Sequence, residues 1–340
     1  MRYLLSFFLT VASLSLAQPA PDLVLPDGYT AEVVVTGLQG PTQLILGPDG
    51  RLWTAQLAGG ENANTGEVVA VSLETGEPET LLSELLKPTG LAVLDGYLWL
   101  AAGNTLVRAP LEGDKVGVPE TVLSNLPFNG RSNGTLTVTP DGKLLYETSG
   151  RRQGNGAQPG SATLWALSPD APTQPTPLAT GFKGAYAHTY DAAGNLFSTD
   201  IGDDPVNGRP PPDELDLVTA GGDYGWPQCF GNLEAARNYG GTPEKCAATE
   251  APLALFAPQS TPTSVVVSPF EGNVLLVALW GPANPRVVRV PYDPETLQAS
   301  GEVTTFIEGL SLPQSLLALP DGGLLVSDFA SGTVYRVARR

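Results

Sequence analysis

The chain has 340 residues, with 18 Lys+Arg against 35 Asp+Glu and a formal net charge of −17. That charge repels a phosphate backbone, so nucleic acid is not an expected partner. A single histidine excludes a His-rich metal site, and 39 Gly, 32 Pro and 16% charged residues read as a turn-rich all-β protein.

Residues 1–17 read as a cleavable signal peptide. Arg2 supplies the positive start, Leu4 to Leu16 an apolar stretch, and Ser15-Leu16-Ala17 a small-x-small cleavage site. The stretch is too short to cross a bilayer, and no later apolar run is long enough, so no membrane span is expected. The mature chain, 18–340, is expected as one domain, secreted or periplasmic.

A hairpin pattern then recurs six times. The copies are "PTQLILGPDGRLWTA" from Pro41, "PTGLAVLDGYLWLA" from Pro88 and "SNGTLTVTPDGKLLYET" from Ser132. They continue as "YAHTYDAAGNLFSTD" from Tyr186, "PTSVVVSPFEGNVLLVA" from Pro262 and "PQSLLALPDGGLLVSD" from Pro313. Each is an extended run, a glycine turn and a second apolar run, which is a β-hairpin. Repeats about 40–50 residues apart are the signature of propeller blades, so a six-bladed β-propeller of four-stranded antiparallel blades is expected. A β-sandwich is the alternative, but it does not call for one local pattern six times. In a propeller the start of each innermost strand faces the central channel, and functional side chains are expected there and on long loops.

The third copy begins at Arg131, Ser132 and Asn133, which read either as ligand contacts or as Asn-Gly turn chemistry. Arg151 and Arg152 lie in a Gly-rich loop and read more readily as surface than as an anion site. His188 reads either as a base facing the channel or as a strand histidine packed between blades; strand alternation puts it in phase with Tyr186 and Tyr190. The gap between Gly194 and Gly272 is longer than the others and holds an expected insertion, around 200–260. It contains an acid-rich loop and both cysteines. Cys229 and Cys246 read as one disulfide closing a loop of about 17 residues and contributing about 3 kcal/mol, against the alternative of two unpaired thiols. Trp226 and Trp280 suit the C–H face of a sugar, although Trp226 reads more readily as an anchor that packs the insertion.

Within that insertion, "DELDLVTAGGDYGWP" followed by Cys229 and Cys246 resembles the signature of the glucose/sorbosone dehydrogenase family. The resemblance implies a secreted six-bladed propeller that oxidises sugars with pyrroloquinoline quinone (PQQ) and calcium. It extends through most of the mature chain but is specific only at 212–229. It implies a sugar or polyol substrate and an electron acceptor as partners. For the quinone carboxylates it points to Arg131, Lys183, Trp280 and Gln314 as the positions to compare. Arg131 stands where the family carries its histidine base, and a permanently charged guanidinium cannot take that role. Trp280 and Gln314 stand where the family carries basic residues, while Lys183 keeps the charge. His188 is then the candidate replacement base. For calcium, the resemblance points to the loop at Gly202, Asp203 and Asp204, with Asp200, Asp213 and Glu214 nearby as oxygen donors.

Three functions follow. One is a PQQ-dependent sugar dehydrogenase-like oxidoreductase with replaced site residues. The second is a propeller that has lost redox chemistry and binds a small ligand, a glycan or a protein. The third is a calcium-dependent lactonase-like hydrolase.

Overall fold

A computed structural model describes residues 18–340 except 21, 61, 63, 114, 131, 132, 203 and 204, with backbone only at Gln18 and Pro19. The signal peptide expected at 1–17, and the site residues Arg131, Asp203 and Asp204, lie outside the described residues.

Six antiparallel sheets form a ring of blades. The innermost strands Pro41–Leu46, Pro88–Leu94, Ala185–Tyr190, Pro262–Val267 and Pro313–Ala318 each pair with the next strand of the chain, as does the short Thr137–Val138 of blade three. The turns follow the sequence. Asp95 and Gly96 both adopt left-handed φ, 53° and 74°, as a two-residue hairpin demands. In blade five it is Asn273 (φ 56°), rather than the expected Gly272, that takes this conformation.

The second strand of each blade is buried on both faces, since it lies between two neighbouring blades. Leu52–Gln56, Leu144–Thr148, Leu196–Asp200, Val274–Leu279 and Leu324–Asp328 are buried at every position. This explains why those segments read as continuous apolar runs instead of alternating ones. Trp53 and Ala55 of blade one, for example, pack with Leu91, Leu98 and Leu100 of blade two.

Side-chain hydroxyls join the inner strands around the channel. Thr42 Oγ1 donates to Pro88 O at 3.2 Å, Thr89 Oγ1 to Gly134 O at 2.9 Å, and Thr263 Oγ1 to Pro313 O at 3.1 Å, each crossing to the following blade. Ser315 Oγ accepts from Leu44 N, and Ser264 Oγ from Leu316 N, both at 3.0 Å. The ring closes by mixing chain ends: Tyr29–Val35 supplies the fourth strand of blade six by pairing with Thr333–Arg339.

The insertion occupies 219–253, between the third strand of blade four (Asp213–Val218) and its fourth (Ala254–Phe256). It holds a two-residue ladder (Cys229–Phe230 with Glu234–Ala235), a 3₁₀ turn at Arg237–Tyr239 and a helical turn at Pro243–Cys246. The Cys229–Cys246 disulfide is present, with Cα atoms 5.5 Å apart. The insertion sits tightly on blade four. At Gly181 (φ +83°) a Cβ would lie 2.2 Å from Asp223 Oδ1 and 2.5 Å from Gly225 N, so only glycine permits this approach.

Candidate functional site

The mouth of the channel opens into a cavity of about 210 Å³. Five blades contribute the starts of their inner strands to its wall: Thr42, Thr89, Lys183 with Gly184, Thr261 with Thr263, and Gln314. Leu57, Ile201, Trp280 and Phe329 add apolar surface, and Asn129, Tyr186 and Glu147 add polar groups. Lys183, Trp280, Gln314 and Gly202, singled out in the sequence, are therefore brought together in one cavity.

Lys183 is fixed at both ends. Its backbone N–H donates to Asp200 Oδ2 at 3.0 Å, next to a 2.5 Å bond from Gly184 N to Asp200 Oδ1. Its ammonium donates to Gly150 O at 3.3 Å and sits 5.7 Å from the Trp226 ring centroid. Trp226 thus packs as an anchor, bracing the lysine from the insertion. The capping by Asp200 recurs in two other blades, where the last residue of the second strand binds the loop leading into its own blade: Gln56 Oε1 accepts from Gln39 N at 2.9 Å, and Asp328 Oδ2 from Ser311 N at 2.5 Å.

Gln314 Nε2 donates to Tyr186 Oη at 2.9 Å, joining blade six to blade four across the channel. Trp280 meets Phe329 edge-on, with centroids 6.3 Å apart, and its buried Nε1 has no hydrogen-bond partner. Gly202 N donates to Asp213 Oδ1 at 2.6 Å, and Asp213 Oδ2 accepts from Thr261 N at 2.8 Å. Asp213 therefore shapes the rim of the cavity with both oxygens engaged by backbone.

His188 does not line the cavity. Its ring is buried between strands, with Nε2 2.7 Å from Ala185 O, and burial pushes its pKa down to about 4. Nε2 carries the proton that this bond requires, and the ring is neutral at ordinary pH. The base expected there is corrected to a histidine tied to its own strand.

The residue that sequence reasoning passed over is Glu147, on the second strand of blade three and 2% exposed. Burial pushes its carboxyl up to about 8, and the nearby Asp200 adds to this while Lys183 opposes it. Asp200 is itself raised to about 7, by burial first. Behind it, burial raises Glu214 and Asp216, with repulsion from Asp200 adding to both, and both Asp216 carboxyl oxygens lack a hydrogen-bond partner. A signal for Glu147 exists in the repeats. The equivalent positions, next to last in the second strand, are Ala55, Ala101, Thr199, Ala278 and Ser327. Only blade three of these six carries a carboxyl.

No family model and no curated protein matches the chain. Solved structures do. The PQQ-bound aldose sugar dehydrogenase of Streptomyces coelicolor superposes with a TM-score of 0.72 at 20% identity, over 93% of this chain and 100% of that one. The holo PQQ domain of pyranose dehydrogenase from Coprinopsis cinerea gives 0.75 at 17% identity, over 95% and 98%. The apo soluble aldose sugar dehydrogenase of Escherichia coli gives 0.69 at 16% identity, over 92% and 100%. At this identity the likeness establishes architecture: the chain has the six-bladed propeller fold of the solved soluble sugar dehydrogenases.

Proposed function

We propose that the protein is a sugar dehydrogenase-like propeller whose cavity binds a neutral sugar or polyol. One observation carries this reading. The hydroxyl protons of Thr42, Thr89 and Thr263 are committed to backbone carbonyls, of its own or the next blade for Thr42 and of the next blade for Thr89 and Thr263, so these residues offer the cavity lone pairs. A wall of acceptors is matched by a ligand rich in O–H donors. Trp280 and Phe329 supply aromatic surface for its C–H faces.

The same accounting bears on the cofactors. PQQ carries three carboxylates, whereas Lys183 is the only cation among the described lining residues, and Glu147 lies in the same wall. The described residues do not fit a tricarboxylate, and no chemical step is routed through it. Among the described residues, no group of three or more His, Cys, Asp or Glu is placed to hold a metal ion. Quinone-dependent oxidation with a separate electron acceptor is the second reading, favoured by the near full-length overlap with PQQ-bound structures. Export to the periplasm or medium belongs to the proposal and is supported by the disulfide, which persists in oxidising compartments.

Thermal unfolding of the purified protein against a panel of aldoses and polyols tests the reading, because a ligand of the native state raises the melting temperature. The expected result is stabilisation by at least one neutral member without quinone or calcium. Stabilisation and dye reduction only when PQQ and calcium are added would replace it with the second reading.

A further inference from the structure

Glu147 is a buried acid without a counterpart in the repeat. At its position the blades described above hold Ala55, Ala101, Thr199, Ala278 and Ser327, all small and uncharged. A carboxyl placed there is costly to bury, and no neighbouring blade needs one to complete its packing. Its local hydrogen-bond donors are Ser149 Oγ at 3.4 Å and the backbone N–H of Ala185. Yet it reaches the cavity, in the same wall as Lys183.

We propose that Glu147 is the residue that sets ligand charge in this cavity, accepting a hydroxyl of a neutral polyol when ionised and admitting a carboxylate ligand only when protonated. This rests on the reading of the cavity as a sugar or polyol site. An ionised carboxylate accepting an O–H makes a charge-assisted hydrogen bond, stronger than a neutral one. A ligand carboxylate beside it would instead place two like charges together, with only Lys183 to offset them.

Among the described residues, the charged groups around Glu147 come from blade four. They are Lys183 from the loop before the inner strand and Asp200 from the end of the second strand, with Ser149 following Glu147 on its own chain. Asp200 titrates in a similar range, but both its oxygens accept backbone N–H groups of Lys183 and Gly184, and it does not line the cavity. Glu147 is therefore the acid that a ligand meets among the described residues.

The linkage has a definite sign. A neutral polyol favours ionised Glu147, so its binding releases protons and tightens as pH rises through about 8, the value to which burial pushes this carboxyl. The matching sugar acid favours the protonated form, so its binding takes up protons and weakens over the same range.

The experiment measures binding of a polyol or aldose from the panel and of the corresponding aldonic acid, by calorimetry between pH 6 and 9. Buffers of different ionisation enthalpy report the proton balance of the wild type directly, without any variant. Opposite proton linkages are expected, with about a tenfold change in each affinity per pH unit as the limiting slope for one titrating group. Glu147→Gln is expected to flatten both profiles, and Glu147→Ala keeps the test open should the amide fold poorly. Equal linkages for the two ligands, or opposite linkages that persist in the variants, overturn the role of Glu147 alone. Absence of binding by every neutral and acidic ligand to the wild type overturns the sugar reading, and this inference with it.

Discussion

His188 and Glu147 show how burial redistributes roles that residue type suggests. The histidine has the chemistry of a base, but its Nε2 is held by Ala185 O and its ring is neutral. Replacing it with alanine removes packing and leaves that carbonyl without its partner. His188→Ala is expected to cost about 2–3 kcal/mol in urea unfolding while leaving the affinity of any cavity ligand within twofold. A large loss of affinity at unchanged stability would return the histidine to the site. Lys183, Trp280 and Gln314 were legible as cavity residues through the family resemblance; Lys183 and Gln314 stand at the entry of an inner strand, whereas Trp280 follows the second strand of blade five. Glu147 was not legible from motifs, since a carboxyl inside an apolar run has no motif of its own. Its departure from small residues shows only when the six second strands are set in register.

At the scale of elements, the hairpins followed from Asp-Gly and similar turns flanked by apolar runs, and the insertion from the long gap between Gly194 and Gly272. The repeat spacing did not show that the insertion joins the third and fourth strands of a single blade. Nor did it show that it would brace Lys183 through Trp226. The disulfide closes a 17-residue separation within this insertion. Changing Cys229 and Cys246 together to serine is expected to cost about 3 kcal/mol if unfolding is global. The insertion is docked by Trp226 N to Gly181 O at 2.8 Å, and by stacking of Tyr224 on Phe182 at 4.3 Å. Those contacts remain in the double variant. Hydrogen exchange should therefore rise first at 228–247, where the crosslink is lost, with the strands of the six blades still protected. Uniform loss of protection across the blades would contradict this order.

Across the whole molecule, two populations of acids set the pH response in opposite directions. Asp141, held down by the Lys143 side chain, and Asp321, held down by Gly323 N–H and then Arg336, favour the folded state while ionised. Their contribution is present above the ordinary carboxylate range and is lost as pH falls through their lowered values. Glu147, Asp200 and Asp216 are raised, with burial the leading cause, so their contribution is present at low pH and is lost as pH rises, toward about 7 for Asp200 and about 8 for Glu147. Stability is therefore expected to peak in mildly acidic solution and to decline between about pH 5 and 9. Glu147→Gln should reduce that decline by on the order of 2–4 kcal/mol in denaturant unfolding measured at the two ends of the range. A flat profile in the wild type would show that these acids are not held protonated.

Closure of the ring is the feature that local sequence patterns conveyed least. The six hairpins fix the inner and second strands, but nothing in "YTAEVVV" identifies its partner at the far end of the chain. The pairing of Tyr29–Val35 with Thr333–Arg339 makes blade six from both ends and leaves neither strand Thr333–Arg339 nor its ladder open to solvent. Tyr29 also reaches blade five, edge-on to Phe270 and Phe306 with both centroids at 5.1 Å. Two such ring contacts are worth about 1–3 kcal/mol beyond the area they cover. A chain beginning at Thr36 would lose both, together with the ladder, and would present Thr333–Arg339 as an unpaired edge. Such a chain is expected to unfold at lower temperature and to associate as its concentration rises, as light scattering would detect. Tyr29→Ala, which keeps the ladder, is expected to lower stability by the ring contacts and the hydroxyl's bonds to Glu271 and Arg339, and to remain dispersed. If the truncated chain melted like the full one and stayed dispersed, closure through Tyr29–Val35 would not be what holds the ring together.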